Sequence, residues 1–113
     1  MNIDKGLLSG SLGLMIMRLL SEEDMYGYQI VKELAARSED AFAMKEGTLY
    51  PLLHTMERAG GLQSYSVQGD KGRLRKYYRL TDDGRKALLD KQTEWDYFTH
   101  SVNKVLQGKA YGV

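Results

Sequence analysis

The stretch EGTLYPLLHTMERAG, residues 46–60, holds the only proline of the 113-residue chain within a helical pattern. Its apolar residues recur at helical spacing and predict one buried stripe, formed by Leu49, Leu52, Leu53 and Met56. Proline lacks an N–H and clashes with the carbonyl four residues earlier. We therefore expect Pro51 in the first turn, and a helix that begins no earlier than about Gly47.

The opposite face of this predicted helix is small, hydrogen-bonding and nearly uncharged. Successive residues lie about 100° apart around a helix, which gives this face Gly47, Thr48, Tyr50, Pro51, His54, Thr55 and Arg58. A surface helix that needs only solubility more often carries pairs of Glu and Lys. We expect this face to be reserved for contact with another molecule.

Composition is typical of one compact domain, with 42% apolar and 27% charged residues and a net charge of +1. The chain has no cysteine, which excludes a disulfide framework and a thiolate metal site and fits a reducing cytosol. The most apolar run, residues 12–20, is far shorter than the roughly 20 residues of a membrane span. No signal-peptide pattern precedes it. We expect a soluble cytoplasmic protein without a membrane segment.

Two more helices are predicted before the quoted stretch. Residues 7–20 form a first helix that is apolar on most sides and is expected to be largely buried. Residues 21–40 contain a second helix, with Ser21 or Asp24 as its N-cap. Its core stripe consists of Ile30, Val31, Leu34 and Ala35. The third helix is expected to end at the glycine pair 60–61.

A β-hairpin with a basic tip follows the third helix. The runs LQSYSV and LRKYYRL are rich in aromatic and branched residues, and the turn residues of QGDKGR separate them. Positive charge is concentrated here, because residues 61–80 carry a single acidic residue, Asp70, against Lys71, Arg73, Arg75, Lys76 and Arg79. Of these basic residues, Lys71, Arg73, Arg75 and Lys76 are expected to hold phosphates.

The motif TDDG begins a fourth helix of about 26 residues, roughly 39 Å long, with Thr81 as N-cap. Its apolar residues recur at intervals of 7, 3, 4 and 3 and predict a dimer seam, interrupted by Lys91, of Leu88, Trp95, Phe98, Val102 and Val105. Such a helix is longer than a small head could cover. A second copy of the chain is the expected partner.

Three helices followed by a basic hairpin are typical of a winged helix-turn-helix. The predicted fold is mainly α with a small β-hairpin: a winged helix in residues 1–80 and a C-terminal dimerisation helix and tail in residues 81–113. The third helix would enter the major groove of double-stranded DNA, and the hairpin wing would lie along the backbone. The predicted DNA contacts are Lys45, Thr48, Tyr50, Pro51, His54, Thr55, Arg58, Lys71, Arg73, Arg75 and Lys76.

Three linked motifs, MYGYQIVKEL, GTLYPLLHTMERAGGL and GRLRKYYRLTDDGRKAL, make residues 7–89 resemble the PadR family of bacterial transcriptional regulators. The resemblance implies a homodimeric winged-helix repressor whose C-terminal helix builds the dimer and whose DNA affinity a small ligand relaxes. Two positions depart from the family pattern. Thr55 follows His54 where members often carry a basic residue, and Gln63 occupies a position that is more usually apolar.

Trp95 has two interpretations. It is an anchor of the dimer seam, or it and its two-fold mate flank a pocket between subunits in which planar aromatic compounds stack. The pocket hypothesis gives Trp95 these further lining residues: Phe98, Leu8, Leu12 and Met15. Both interpretations stay open at the level of the sequence.

Other classes of function fit less well. The chain has no catalytic Ser, His and Asp motif, and the glycines of residues 6–13 follow no strand, so no phosphate loop is predicted. His100 has no second histidine at metal spacing, so we expect no metal and no cofactor. The stronger rival is a winged helix that serves as a protein-interaction module without sequence-specific DNA binding. The salt dependence of binding distinguishes the two hypotheses, because DNA affinity falls steeply and log-linearly as the salt concentration rises.

Overall fold

The protein, described here by a computed structural model over residues 1–109, contains four helices and a three-stranded antiparallel sheet. The helices are α1 (Lys5–Glu22), α2 (Gly27–Arg37), α3 (Glu46–Arg58) and α4 (Asp82–Gln107). The strands are β1 (Met25–Tyr26), β2 (Leu62–Gln68) and β3 (Leu74–Leu80), in the sheet order β1-β3-β2. This arrangement confirms the predicted winged helix-turn-helix with a long C-terminal helix. Residues 110–113, the end of the predicted tail, lie outside the described residues.

The short strand β1 is the element that the sequence did not predict. Met25 pairs with Tyr78 and Tyr26 with Tyr77, so the hairpin becomes a three-stranded sheet. This pairing also makes the predicted cap of the second helix wrong. The helix begins at Gly27, after extended backbone at Tyr26, and no side chain caps it.

The helices α1, α2 and α3 and the sheet together form a compact unit that we call the head. Its core lies where these elements meet, and 14 buried hydrophobic residues form it. Its side chains without exposed surface include Ile16, Met25, Ile30, Leu49, Leu53 and Tyr78. The buried residues of α1 all lie between Leu12 and Leu20, whereas Leu7 is 66% exposed. The prediction that the first helix is largely buried therefore holds for its second half.

The start of α4 is attached closely to the end of α3. Thr81 accepts a hydrogen bond from the Gly84 N–H at 3.0 Å, which confirms it as N-cap, and it donates through its hydroxyl to the Gly60 carbonyl at 2.6 Å. Leu88, about two turns after Thr81, is only 7% exposed and belongs to the core of the head. The rest of α4 extends outward, so the described chain measures 66 × 31 × 21 Å. The predicted division between residues 80 and 81 stays a prediction.

Gly84 permits this close approach, and we expect Gly84→Ala to destabilise the protein. An added Cβ would collide with the Gly61 carbonyl oxygen and lie 2.6 Å from Leu80 Cδ1. Because backbone has to move, the free energy of unfolding should fall by about 2–3 kcal/mol. Urea denaturation measures the change. The matched control is Gly47→Ala, since a Cβ there meets nothing within 4 Å; equal stability of the two variants would contradict this account.

Candidate nucleic-acid interface

One face of α3 is buried in the core, and the opposite face is open to solvent. Leu49 and Leu53 both have 0% exposure on the inner side. All but one of the residues predicted to contact DNA from this stretch are exposed: Lys45, Thr48, Pro51, His54, Thr55 and Arg58. Lys45 precedes the helix as its N-cap residue, and Arg58 is its last residue. The face between these two cations presents hydroxyls, an imidazole and methyl groups.

Pro51 is the sixth residue of α3, so its predicted place in the first turn is wrong. The missing N–H leaves the Gly47 carbonyl without its usual partner. Both residues lie on the exposed side, where water can bind that carbonyl, and Gly47 has no neighbour within 4 Å of a Cβ position. The proline is therefore tolerated by solvent exposure rather than by a first-turn position.

Tyr50 is the exception among the predicted α3 contacts. It is half-buried and packs against the core, and its hydroxyl donates to Glu46 Oε2 at 3.0 Å. A Cβ on Gly27 would lie 2.6 Å from that hydroxyl, so the ring fills the space left by the glycine at the start of α2. Burial, followed by the hydrogen bond to Glu46, raises the pKa of Tyr50. The structure thus places Tyr50 between α2 and α3 and away from the open face.

Glu57 fixes the orientation of α3 relative to the hairpin. Its Oε2 accepts hydrogen bonds from the Ser64 N–H at 2.9 Å and the Ser64 hydroxyl at 2.6 Å. These two bonds lower the pKa of Glu57, and the nearby Lys76 and His54 act in the same direction. No pattern in the sequence predicted this contact. It brings His54 of the open face and Lys76 of the wing to the same side of the molecule.

The hairpin of β2 and β3 has two different faces, because side chains alternate along a strand. Tyr78 is buried, and its cross-strand partner Ser64 binds α3, so this pair marks the face on the α3 side. Lys76 and Leu74 lie two and four residues before Tyr78 and share that face. Both are exposed.

The other face of the hairpin carries Arg75 and a group of three tyrosines. Tyr65 stacks on Tyr77 at 5.8 Å between ring centroids, and Tyr26 meets Tyr77 edge-on at 5.4 Å. The Arg75 guanidinium lies 4.6 Å from the centre of the Tyr26 ring. The Tyr65 hydroxyl donates to Asp24 Oδ2 at 2.6 Å. Arg75 therefore lies on the opposite face from Lys76, although both were predicted to contact phosphates.

The tip of the wing is narrow and positively charged. A short 3₁₀ turn, Asp70–Gly72, joins the strands, and the Gly69 N–H donates to the Arg73 carbonyl at 2.6 Å. The backbone turns through positive φ at Lys71 (64°) and Gly72 (76°). Lys71 and Arg73 are both exposed. The tip thus presents two cations beyond the end of the sheet.

Beyond the head, α4 exposes a row of large apolar side chains. Trp95 is 37% exposed, Phe98 56%, Val102 37% and Val105 79%. These four are the predicted seam without Leu88. Leu88 lies in the core of its own head, so its predicted place in the dimer seam is wrong: the first turns of α4 are packed under α1 and the sheet. The described chain covers the remaining row only in part.

Two clefts adjoin Trp95. A cleft of about 360 Å³ lies between α1, α2 and α4 and includes Met15, Phe42 and Trp95 among its lining residues. A second cleft of about 340 Å³ is lined by α1 and α4, with Phe98 and again Trp95. Leu14 lines both.

The predicted effector pocket is therefore only partly assembled. Met15, Trp95 and Phe98 line the clefts, but Leu8 and Leu12 do not. Leu12 is 6% exposed and points into the core of the head. Leu14, two residues further along α1, lines both clefts instead.

No group of three or more metal-ligating side chains occurs within residues 1–109. Of the described helices, none is long and apolar enough to cross a membrane.

The transcriptional regulator PadR-like family model matches residues 16–90 of the chain. The chain is 36% identical to the transcriptional regulator Rv3488 of Mycobacterium tuberculosis over 66% of each chain. It superimposes on a transcriptional regulator from Clostridium thermocellum with a TM-score of 0.82 and 33% identity, covering 90% of this chain and 96% of the other. For a PadR-like transcriptional regulator from Bacillus cereus the TM-score is 0.80, with 30% identity and coverage of 93% and 100%.

The chain belongs to the PadR-like family of transcriptional regulators, as the three motifs predicted. Members of this family are DNA-binding regulators and not enzymes, which confirms the prediction of a non-enzymatic protein. The open face of α3 and the basic wing are the parts of the described chain that suit this class.

Proposed function

We propose that this protein is a sequence-specific repressor that binds a two-fold operator as a homodimer. One observation carries the proposal: Lys76 of the wing and His54 of the nearly uncharged open face of α3 both lie near the Glu57 carboxylate. The exposed cations Lys71 and Arg73 follow at the tip of the same hairpin. Side chains that suit base edges are thereby placed beside side chains that suit phosphates. Repression is the direction that the family resemblance implies, and the cytoplasm is where such a regulator meets its DNA.

The residues of the open face divide by chemistry. Thr48, Thr55 and His54 offer short donors, acceptors and methyl groups, which suit base edges in the major groove. Arg58 and Lys45 lie at the two ends of α3, where they can hold the phosphates that border the groove. The cations of the wing would supply most of the salt-dependent affinity. Tyr50 is left out of this set because the structure engages its hydroxyl inside the head.

Dimerisation is proposed through the exposed row of α4. Large apolar side chains in such a row are costly to leave in water, and heptad spacing suits a second helix. A two-fold dimer would present two α3 helices to half-sites about one helical turn apart, roughly 34 Å. A palindromic operator follows from that symmetry.

Sequence specificity is expected to depend on His54 and Thr48. The double variant Thr48→Ala, His54→Ala should lose at least about tenfold in affinity for a selected operator, since each good base contact contributes about 1–3 kcal/mol. Affinity for unrelated DNA should change little. Fluorescence anisotropy at fixed salt with both duplexes measures the ratio. The matched control, Thr93→Ala with His100→Ala on α4, should behave as wild type; an unchanged ratio in the α3 variant would refute the assignment.

Release by a small planar aromatic effector is the regulatory part of the proposal. Trp95 is partly exposed between the two clefts, and an indole face binds aromatic rings well. We expect planar aromatic compounds to quench Trp95 fluorescence and to weaken operator binding over the same concentration range. Trp95 is the only tryptophan, so the signal reports this position alone. If no such compound changes either signal, the effector hypothesis is wrong.

A further inference from the structure

Leu74 is an apolar residue in the middle of the positive wing. It is 71% exposed, although it is the first residue of β3 and pairs with Gln68 to close the hairpin. Its chain neighbours are Arg73 and Arg75, and the full basic set at the tip also includes Lys71 and Lys76. A single exposed leucine is ordinary on a protein surface. Its position between four cations that suit phosphates sets this one apart.

The strand register shows which way Leu74 faces. It lies on the same face of β3 as Lys76 and as buried Tyr78, which is the α3 side of the sheet. Leu74 lies four positions before Tyr78, a distance of about 13 Å along an extended strand. Leu74 therefore projects well beyond the head on the side of the open face of α3.

With α3 in the major groove, that reach would bring the wing to the next groove. The major groove is about 12 Å wide, so a hairpin that extends about 13 Å beside a helix in that groove passes its bordering phosphates. The adjoining minor groove is only about 6 Å wide. The tip is small enough to approach it, since a three-residue turn flanked by Gly69 joins the two strands and Gly72 ends that turn.

We propose that Leu74 enters the minor groove beside each half-site and disfavours G·C pairs there. The inference rests on the proposed function, because it assumes that α3 occupies the major groove. Guanine places its N2 amino donor in the minor groove, whereas A·T pairs present only acceptors there. A leucine pressed against that amino group removes its water and accepts no hydrogen bond. Apolar side chains such as leucine are known to wedge into minor grooves.

The cations and the leucine have separable effects in this arrangement. Lys71 and Arg73 bind phosphates, so their removal weakens binding on every sequence and lowers the salt dependence. Leu74 carries no charge. Its removal should change the preference for base pairs at the flank and leave the slope of affinity against salt unchanged.

The test compares three versions of one selected operator, with A·T, G·C or inosine·C pairs at the flanking positions. Inosine lacks the N2 amino group, so inosine·C has the major-groove edge of G·C and a minor-groove edge without the donor. We expect the wild-type protein to bind the A·T and inosine·C duplexes equally and the G·C duplex about fivefold more weakly, the low end of the range for one unfavourable base pair. Leu74→Ala should bind all three within about twofold.

Val67→Ala provides the matched control. Val67 is also an exposed apolar residue of the hairpin, but it pairs with Arg75 on the opposite face. This variant should keep the wild-type discrimination. The inference is overturned if wild type binds G·C and inosine·C flanks equally, if Leu74→Ala still discriminates, or if Val67→Ala loses the preference as well. Failure of wild type to bind any duplex sequence-specifically would overturn the proposed function too, so the two failures are distinguishable.

Discussion

Reversing the charge of Arg73 and Lys76 together should lower DNA affinity by at least about a hundredfold at physiological salt. Both side chains are exposed, Arg73 at the tip and Lys76 on the α3 side of β3. A homodimer carries each residue twice, so four phosphate contacts become four repulsions. The slope of log affinity against log salt should fall as well, by about 0.9 for each lost contact. Anisotropy titrations at several salt concentrations measure both quantities.

The control variant needs the same change in net charge at residues outside the proposed interface. Arg79→Glu with Lys86→Glu meets this requirement. Arg79 lies on the face of β3 opposite α3 and donates to the Gln63 side chain at 2.9 Å, and Lys86 is an exposed residue of α4. We expect this variant to lose far less affinity. Equal losses in the two variants would mean that only overall charge matters, and unchanged binding by Arg73→Glu, Lys76→Glu would remove the wing from the interface.

The second large effect is expected from Phe98→Glu combined with Val102→Glu. These side chains are 56% and 37% exposed in the single chain and form the middle of the proposed seam. Burying unpaired carboxylates costs several kcal/mol, so the dissociation constant of the dimer should rise by about a hundredfold or more. The operator should then be bound much more weakly, because each monomer contacts only one half-site. Analytical ultracentrifugation and operator titrations measure the two changes.

Tyr97→Glu is the matched control for the seam. Tyr97 is 75% exposed on the same helix but lies off the heptad positions. It should remain a dimer that binds the operator. A double variant that stays dimeric would show that the exposed row of α4 has another role. A monomeric wild-type protein would contradict the proposal of a two-fold operator.

Local patterns predicted most of the fold. The stripe of α3, the aromatic and branched runs of β2 and β3, and Thr81 at the start of α4 all depend on neighbours within a few residues, and the structure contains each of these elements. The two-residue strand β1 was missed because only its pairing with β3, some 50 residues later, defines it. Because the sequence does not reveal that strand, it predicts the cap of α2 at Ser21 or Asp24, before the observed helix start at Gly27.

The remaining differences concern which face of an element is buried. Helical spacing predicts Tyr50 at an edge of the exposed face. In the structure its ring lies inward, because Gly27 has no side chain and leaves the space that the ring fills. Leu88 continues the heptad of α4, yet the head already covers that turn. The separation of Arg75 from Lys76 follows from simple alternation along β3 and could have been predicted from the sequence. The ring contact of Arg75 with Tyr26 could not, since it depends on the unpredicted strand.

We propose that a dimer of this chain binds DNA through two α3 helices. Selection of bound sequences from random duplex DNA, at physiological salt and with purified protein, is the decisive experiment. We expect recovery of an inverted repeat whose half-sites are centred about 10 base pairs apart, one turn of the duplex. Recovery of single half-sites, or of no sequence above non-specific background, would contradict it.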